Sequence, residues 1–133
     1  MGIAENKKTV LGFIDALASG NVDVLDSTLA DDATWWLPGS LPVSGTHQGK
    51  KGIFEGFIKK AAPHFQPNSL SIEVRNTVAE GDFVTVEWIA RGKSAKGKPY
   101  ENYYNVMFEV KNNKIQTVRE YVDTLYAKEV LFS

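Results

Sequence analysis

Residues 100–123 read YENYYNVMFEVKNNKIQTVREYVD, and the periodicity of this stretch decides the fold. Aromatic and β-branched side chains recur through 100–110 and 115–123, as they do in extended strands. Between the two runs Lys111-Asn112-Asn113-Lys114 is a turn, so the runs form an antiparallel hairpin. In the second run Glu120 alternates with Val118 and Val122, while Arg119, Tyr121 and Asp123 share the opposite face. In the first run Glu101, Tyr103, Asn105 and Met107 lie together.

The same period continues upstream. SAKGKP (94–99) is a turn, FVTVEWIA (83–90) a strand and Glu80-Gly81-Asp82 another turn. Before it, Leu70, Ile72 and Val74 alternate with Ser71, Glu73 and Arg75. Turn signals every ten or so residues describe an antiparallel meander.

Further upstream the period lengthens to that of a helix. Val10, Leu11, Ile14 and Leu17 mark one face of a first helix that Gly20-Asn21 stops. A short second helix carries Val22, Leu25 and Leu29 inward and ends at Asp31-Asp32. ATWWL (33–37) reads as a strand and PGSLPVSGTHQG (38–49) as a loop. Ile53, Phe54, Phe57, Ile58 and Ala61 make a third amphipathic helix that Pro63 ends. The expected layout is one α+β domain over 1–133, with about three N-terminal helices packed on a curved antiparallel sheet. Such a sheet leaves a concave mouth where small molecules bind.

Fifteen Lys and Arg against sixteen Asp and Glu leave a formal charge of −1, so nothing in the charge balance points to nucleic acid or an anionic membrane. The absence of cysteine excludes disulfides and thiolate catalysis. No apolar run reaches the roughly 20 residues of a bilayer span, and the expected location is the cytoplasm.

Several side chains have the chemistry of a site. Tyr103 and Asn105, two apart on one strand, offer a phenol and an amide to a carbonyl or enolate oxygen, or else face solvent or a second subunit. Asp123 stands before TLYAKEVL, which looks helical; it either caps that helix or moves a proton in a pocket. Arg119, next to Glu120, reads as a surface or interface charge, and a regular strand cannot put both Glu120 and Asp123 into one pocket. Trp35, Trp36 and Trp88 are core or cavity aromatics. His47, in the glycine-rich loop, lies at the surface or reaches a pocket mouth, and with His64 it forms no metal motif.

FIDALASGNVDVLDSTLADDATWWLPG (13–39), SGTHQGKKGIFEGF (44–57) and KNNKIQTVREYVD (111–123) together resemble the nuclear transport factor 2-like superfamily. Within it the chain is most similar to SnoaL-like and ketosteroid-isomerase-related proteins. The resemblance implies a cone-shaped α+β fold with a small-molecule cavity. Steroid isomerases of this fold hold a general-base aspartate where this chain has Leu37, an oxyanion tyrosine where it has Phe13, and a protonated aspartate where it has Asn105. Steroid isomerisation by that route is therefore not expected. The arginine and paired aspartates of limonene epoxide hydrolases fall on Tyr103, Asn105 and Asp123, and only the last keeps its chemistry. SnoaL-like cyclases resemble the chain at Asp123, their acid/base.

The resemblance thus implies cofactor-independent acid/base chemistry on a small apolar or aromatic molecule bearing a carbonyl or enol. Asp123 would be the catalyst, with Tyr103, Asn105, Trp36, Trp88, Tyr121 and His47 around the ligand. It also implies a homodimer through the outer sheet face. A non-catalytic ligand-binding or protein-interaction module on the same fold is the alternative.

Overall fold

In a computed structural model, which describes residues 2–133, the quoted stretch folds as the expected hairpin. Strands β5 (Pro99–Lys111) and β6 (Lys114–Val122) pair antiparallel across a turn where Asn112 and Asn113 take φ of 51° and 62°. Two consecutive left-handed residues match the right-handed twist of the strands, and asparagine tolerates that region better than most side chains. β4 (Phe83–Lys93) pairs antiparallel with β5, and β3 (Ser71–Glu80) with β4.

The first half contributes the rest of the sheet. β1 (Leu29–Leu37) pairs antiparallel with β2 (Gly45–Gln48) and parallel with β6, giving the six-stranded order β2-β1-β6-β5-β4-β3. The sheet is therefore mixed, with an antiparallel meander over β3–β6. Register shifts at Val74/Asn76 and Glu109/Val110 insert an extra residue and bend the ladder, and the sheet is curved and unclosed.

Helix α1 (Ile3–Ser19) buries Val10, Phe13, Ile14 and Ala16 and ends at Gly20, whose φ of 71° turns the chain out of the helix. The Asn21 side chain accepts the Val24 N–H at 3.2 Å and opens α2 (Val22–Thr28). This second helix stops at Thr28, earlier than expected. Leu29 and the exposed Asp31-Asp32 already belong to β1, and Val22 is exposed.

The loop expected over 38–49 contains β2. The third amphipathic segment is a broken helix: α3 (Gly49–Ile53), a π turn (Phe54–Ile58), α4 (Lys59–Ala61) and a single 3₁₀ turn (Ala62–His64) that holds Pro63. Helix α5 (Thr124–Leu131) follows β6.

The helices cover the concave face. Phe13 packs against Trp35 at 5.9 Å and edge-on to Phe108 at 6.1 Å between centroids, all three out of solvent. Side chains of that size each contribute about 1.5–3 kcal/mol when fully buried. Among the described residues no helix is long and apolar enough to cross a membrane.

Candidate functional site

Where α1, the 57–62 segment and the concave face meet, the packing leaves a cavity of about 160 Å³. Its wall includes Trp35, Phe57, Ile72, Trp88 and Tyr104, and it contains one carboxyl, Glu120. Strand parity sets that carboxyl there. Val118 is buried and Val122 half-buried on the same row, so the residue between them must also point inward.

Glu120 is 7% exposed, and Trp35 donates its indole Nε1–H to Oε1 at 3.1 Å. Burial pushes the carboxyl up from 4.5 to about 7, against the smaller opposing effect of the Trp35 hydrogen bond. One neutral donor in an apolar cavity stabilises the anion far less than water does.

Tyr104 lines the same cavity, stacked on Trp88 at 5.5 Å and 21°. In the β5–β6 register Val106 faces Glu120 and Tyr104 faces Val122, so Tyr104 and Glu120 are diagonal neighbours. Such pairs lie on the order of 7 Å apart at the backbone, within reach of long and aromatic side chains. The Tyr104 hydroxyl is 2.7 Å from that of Tyr100, which receives the Asn102 amide N–H at 2.9 Å. Burial pushes Tyr100 up to about 12 and Tyr104 well above the usual phenol range, so both stay protonated.

Phe57 reaches the wall from the π turn, with its ring 4.9 Å from Trp35 and stacked at 5.6 Å on His47. His47 lies behind Phe57 and outside the cavity wall. Its Nε2–H donates to Val43 O at 2.7 Å. A Cβ at Gly56 would come within 3.0 Å of His47 Nδ1, so glycine lets the turn close over the imidazole. A surface hollow that includes Gly20, Gln66 and Asn68 shares Leu17, Ala62, Phe65 and Leu70 with the cavity and adjoins it.

Of the residues singled out in the sequence, Trp88 lies in this wall. Tyr103, Asn105 and Tyr121 sit together instead in an outer hollow with Arg75 and Glu87, and Tyr103 is 60% exposed. Trp36 also faces outward, edge-on to Tyr121 at 5.4 Å. These four side chains occupy the odd or even positions that point away from the helices, so none of them shares a chamber with Glu120.

Asp123 is exposed and caps α5, accepting the Tyr126 N–H at 3.0 Å through Oδ1. It does not line the cavity, because the chain leaves β6 at Val122 and turns into the helix. Leu37 is buried in the core. Arg119, read as a surface or interface charge, is exposed, while its neighbour Glu120 is inside, on the face it shares with Val118 and Val122. Two signals mark the missed residues. Glu120 stands between two valines, and Tyr104 shares its row with Val106, Phe108 and Val110. Among the described residues no cluster of His, Asp and Glu has the makings of a metal site.

The chain belongs to the SnoaL-like domain family, whose model matches residues 10–118. Among solved structures, a nuclear transport factor 2-like protein of Burkholderia xenovorans is 27% identical, with a TM-score of 0.79 and 98% of each chain covered. One from Burkholderia pseudomallei is 18% identical at a TM-score of 0.88 over 100% of both chains. TerC, crystallised with polyporic acid, is 20% identical at a TM-score of 0.85, covering 97% of this chain and 99% of its own. The last two likenesses show the fold. No curated protein sequence matches the chain.

Proposed function

We propose that the chain is a small-molecule enzyme that moves a proton on a carbonyl- or enol-type compound in the inner cavity, without a cofactor, and that Glu120 is the acid/base. The observation that carries this reading is a lone carboxyl in an aromatic chamber, held by one indole N–H and titrating at about 7. A base poised near neutrality has an effective protonation state and enough driving force for transfer. The carboxylate takes a proton from the carbon next to the carbonyl, and the C–H electron pair moves into an enolate. The same carboxyl then returns the proton to carbon. The Asp123 of the original expectation gives way here to Glu120, since Asp123 is committed to the helix end. The outer sheet face, with Tyr103, Met107 and Tyr121 exposed, is proposed to pair with a second copy.

The test uses β,γ-cyclohexenone in deuterium oxide, where deuterium uptake or migration of the double bond reports removal of the proton. The protein is expected to accelerate both, with a rate that rises with pH through a midpoint near 7. Glu120→Gln should abolish the acceleration while Asp123→Asn retains it. Equal rates in Glu120→Gln and the unaltered protein would sink the assignment.

A further inference from the structure

The hydrogen bonds behind Tyr104 have a fixed direction. Asn102 Oδ1 accepts from the Tyr103 backbone N–H at 2.9 Å, and Asn102 Nδ2 donates to the Asp123 carbonyl at 3.1 Å. A backbone N–H can only donate and a carbonyl can only accept, so these two partners settle which end of the amide is which. The second Nδ2 proton goes to the Tyr100 oxygen at 2.9 Å, which makes that oxygen an acceptor.

Tyr100 is 2% exposed and lies outside the cavity wall, and its remaining polar neighbour is the Tyr104 hydroxyl at 2.7 Å. If Tyr104 donated to Tyr100, the buried Tyr100 proton would be left with nothing to receive it. Tyr100 therefore donates to Tyr104. Among the described residues the Tyr104 proton has no acceptor, and its ring forms part of the cavity wall.

From this arrangement we infer that Tyr104 is the oxygen-binding donor of the cavity, set in that role by Tyr100 and Asn102. The ligand it selects presents, at the Glu120 end, one ring-sized apolar body with a single acceptor oxygen. The size follows from the volume: a cavity of about 150 Å³ takes one benzene-sized ring, and this one measures about 160 Å³. The polarity follows from the walls. Tyr104 supplies a donor, the protonated form of Glu120 carries no charge and adds an O–H, and most of the remaining lining is hydrocarbon. A carboxylate ligand would meet no fixed cation there. The inference rests on the proposed reaction for the meaning of the donor, which holds the oxygen as charge develops on the enolate, but its test does not depend on turnover.

The probe is cyclohexanone, whose oxygen can only accept, with methylcyclohexane as its oxygen-free counterpart. Both are titrated by NMR against the unaltered protein and Tyr104→Phe. Cyclohexanone is expected to bind about tenfold more weakly to Tyr104→Phe, the loss of one hydrogen bond to a buried ketone. Methylcyclohexane is expected to bind both alike, which also shows that the cavity persists in the variant. The infrared carbonyl band of bound cyclohexanone should shift to lower frequency in the unaltered protein. That shift should be lost in Tyr104→Phe and be intermediate in Tyr100→Phe, where the donor behind Tyr104 is gone.

Equal weakening of both probes, no weakening of either, or no binding of cyclohexanone would overturn the inference. Oxygen-selective binding without deuterium uptake would leave it standing and refute the role of Glu120 alone.

Discussion

Glu120 ties the proposed reaction to the stability of the fold. In the folded chain the carboxyl titrates at about 7, above the 4.5 of an unperturbed glutamate, because the cavity offers the anion one indole N–H in place of water. Below the lower value the group is protonated in both folded and unfolded states and favours neither. As pH rises past it the unfolded chain releases its proton while the folded chain holds on, so folding stability falls until the folded group also ionises. The total loss is about 3 kcal/mol. Urea unfolding should therefore give a lower stability at about pH 8 than at about pH 5, by most of that amount. Glu120→Gln keeps an oxygen for Trp35 and should remove this part of the slope. A slope identical in protein and variant would show that the carboxyl is not held in the neutral form.

Among the elements, α5 depends on Asp123 for its first turn. The Oδ1 atom receives the Tyr126 N–H, one of the donors that every helix N-terminus leaves without an internal partner. Asp123→Ala should lower the unfolding free energy by about 1 kcal/mol, and Asp123→Asn, which also caps, by a few tenths at most. Neither substitution should change turnover of β,γ-cyclohexenone beyond that of a correctly folded protein. A large loss of rate in Asp123→Asn, with stability unchanged, would return the catalytic role to the aspartate.

The contrast between these two carboxyls shows what the sequence carries. Period two separates Glu120 from Asp123 without error, because it is a local property of an extended chain. Which face turns inward is decided by tertiary packing. On β5 the row Glu101-Tyr103-Asn105-Met107 and the row Tyr100-Asn102-Tyr104 both mix aromatic and polar tips. Only the continuation of the second row into Val106, Phe108 and Val110 tells them apart. The parallel contact of β1 with β6 and the π turn that brings Phe57 to the wall have no local signature. The first joins residues some eighty positions apart, such as Trp35 and Val118, and the second differs from an α-helix by a single inserted residue.

Across the whole molecule, the helices and the curved sheet leave one large surface uncovered, the convex face of β4, β5 and β6. With the neighbouring β3, several of its polar side chains satisfy one another: Asn76 donates to Glu87 at 2.8 Å, and Arg91 bridges Glu73 at 2.7 Å and Glu101 at 2.8 Å. Tyr103, Met107 and Tyr121 remain exposed between these groups, at 60%, 36% and 47%. Covering such a face removes apolar area from water, while Arg75 and Arg119 on it need partners or water at the rim. The proposed second copy would meet the face with an identical one across a two-fold axis, so each substitution would count twice. Sedimentation at increasing concentration should show a monomer passing to a dimer. Met107→Glu places a carboxylate in the middle of the face, opposite Arg119, and closing the interface over it would cost its desolvation in both copies. It should raise the dimer dissociation constant on the order of a hundredfold, about 2.7 kcal/mol. Because Met107 points away from the cavity, cyclohexanone should still bind the variant's monomer. A protein that stays monomeric at every concentration, or a dimer indifferent to Met107→Glu, would place the subunit contact elsewhere or remove it.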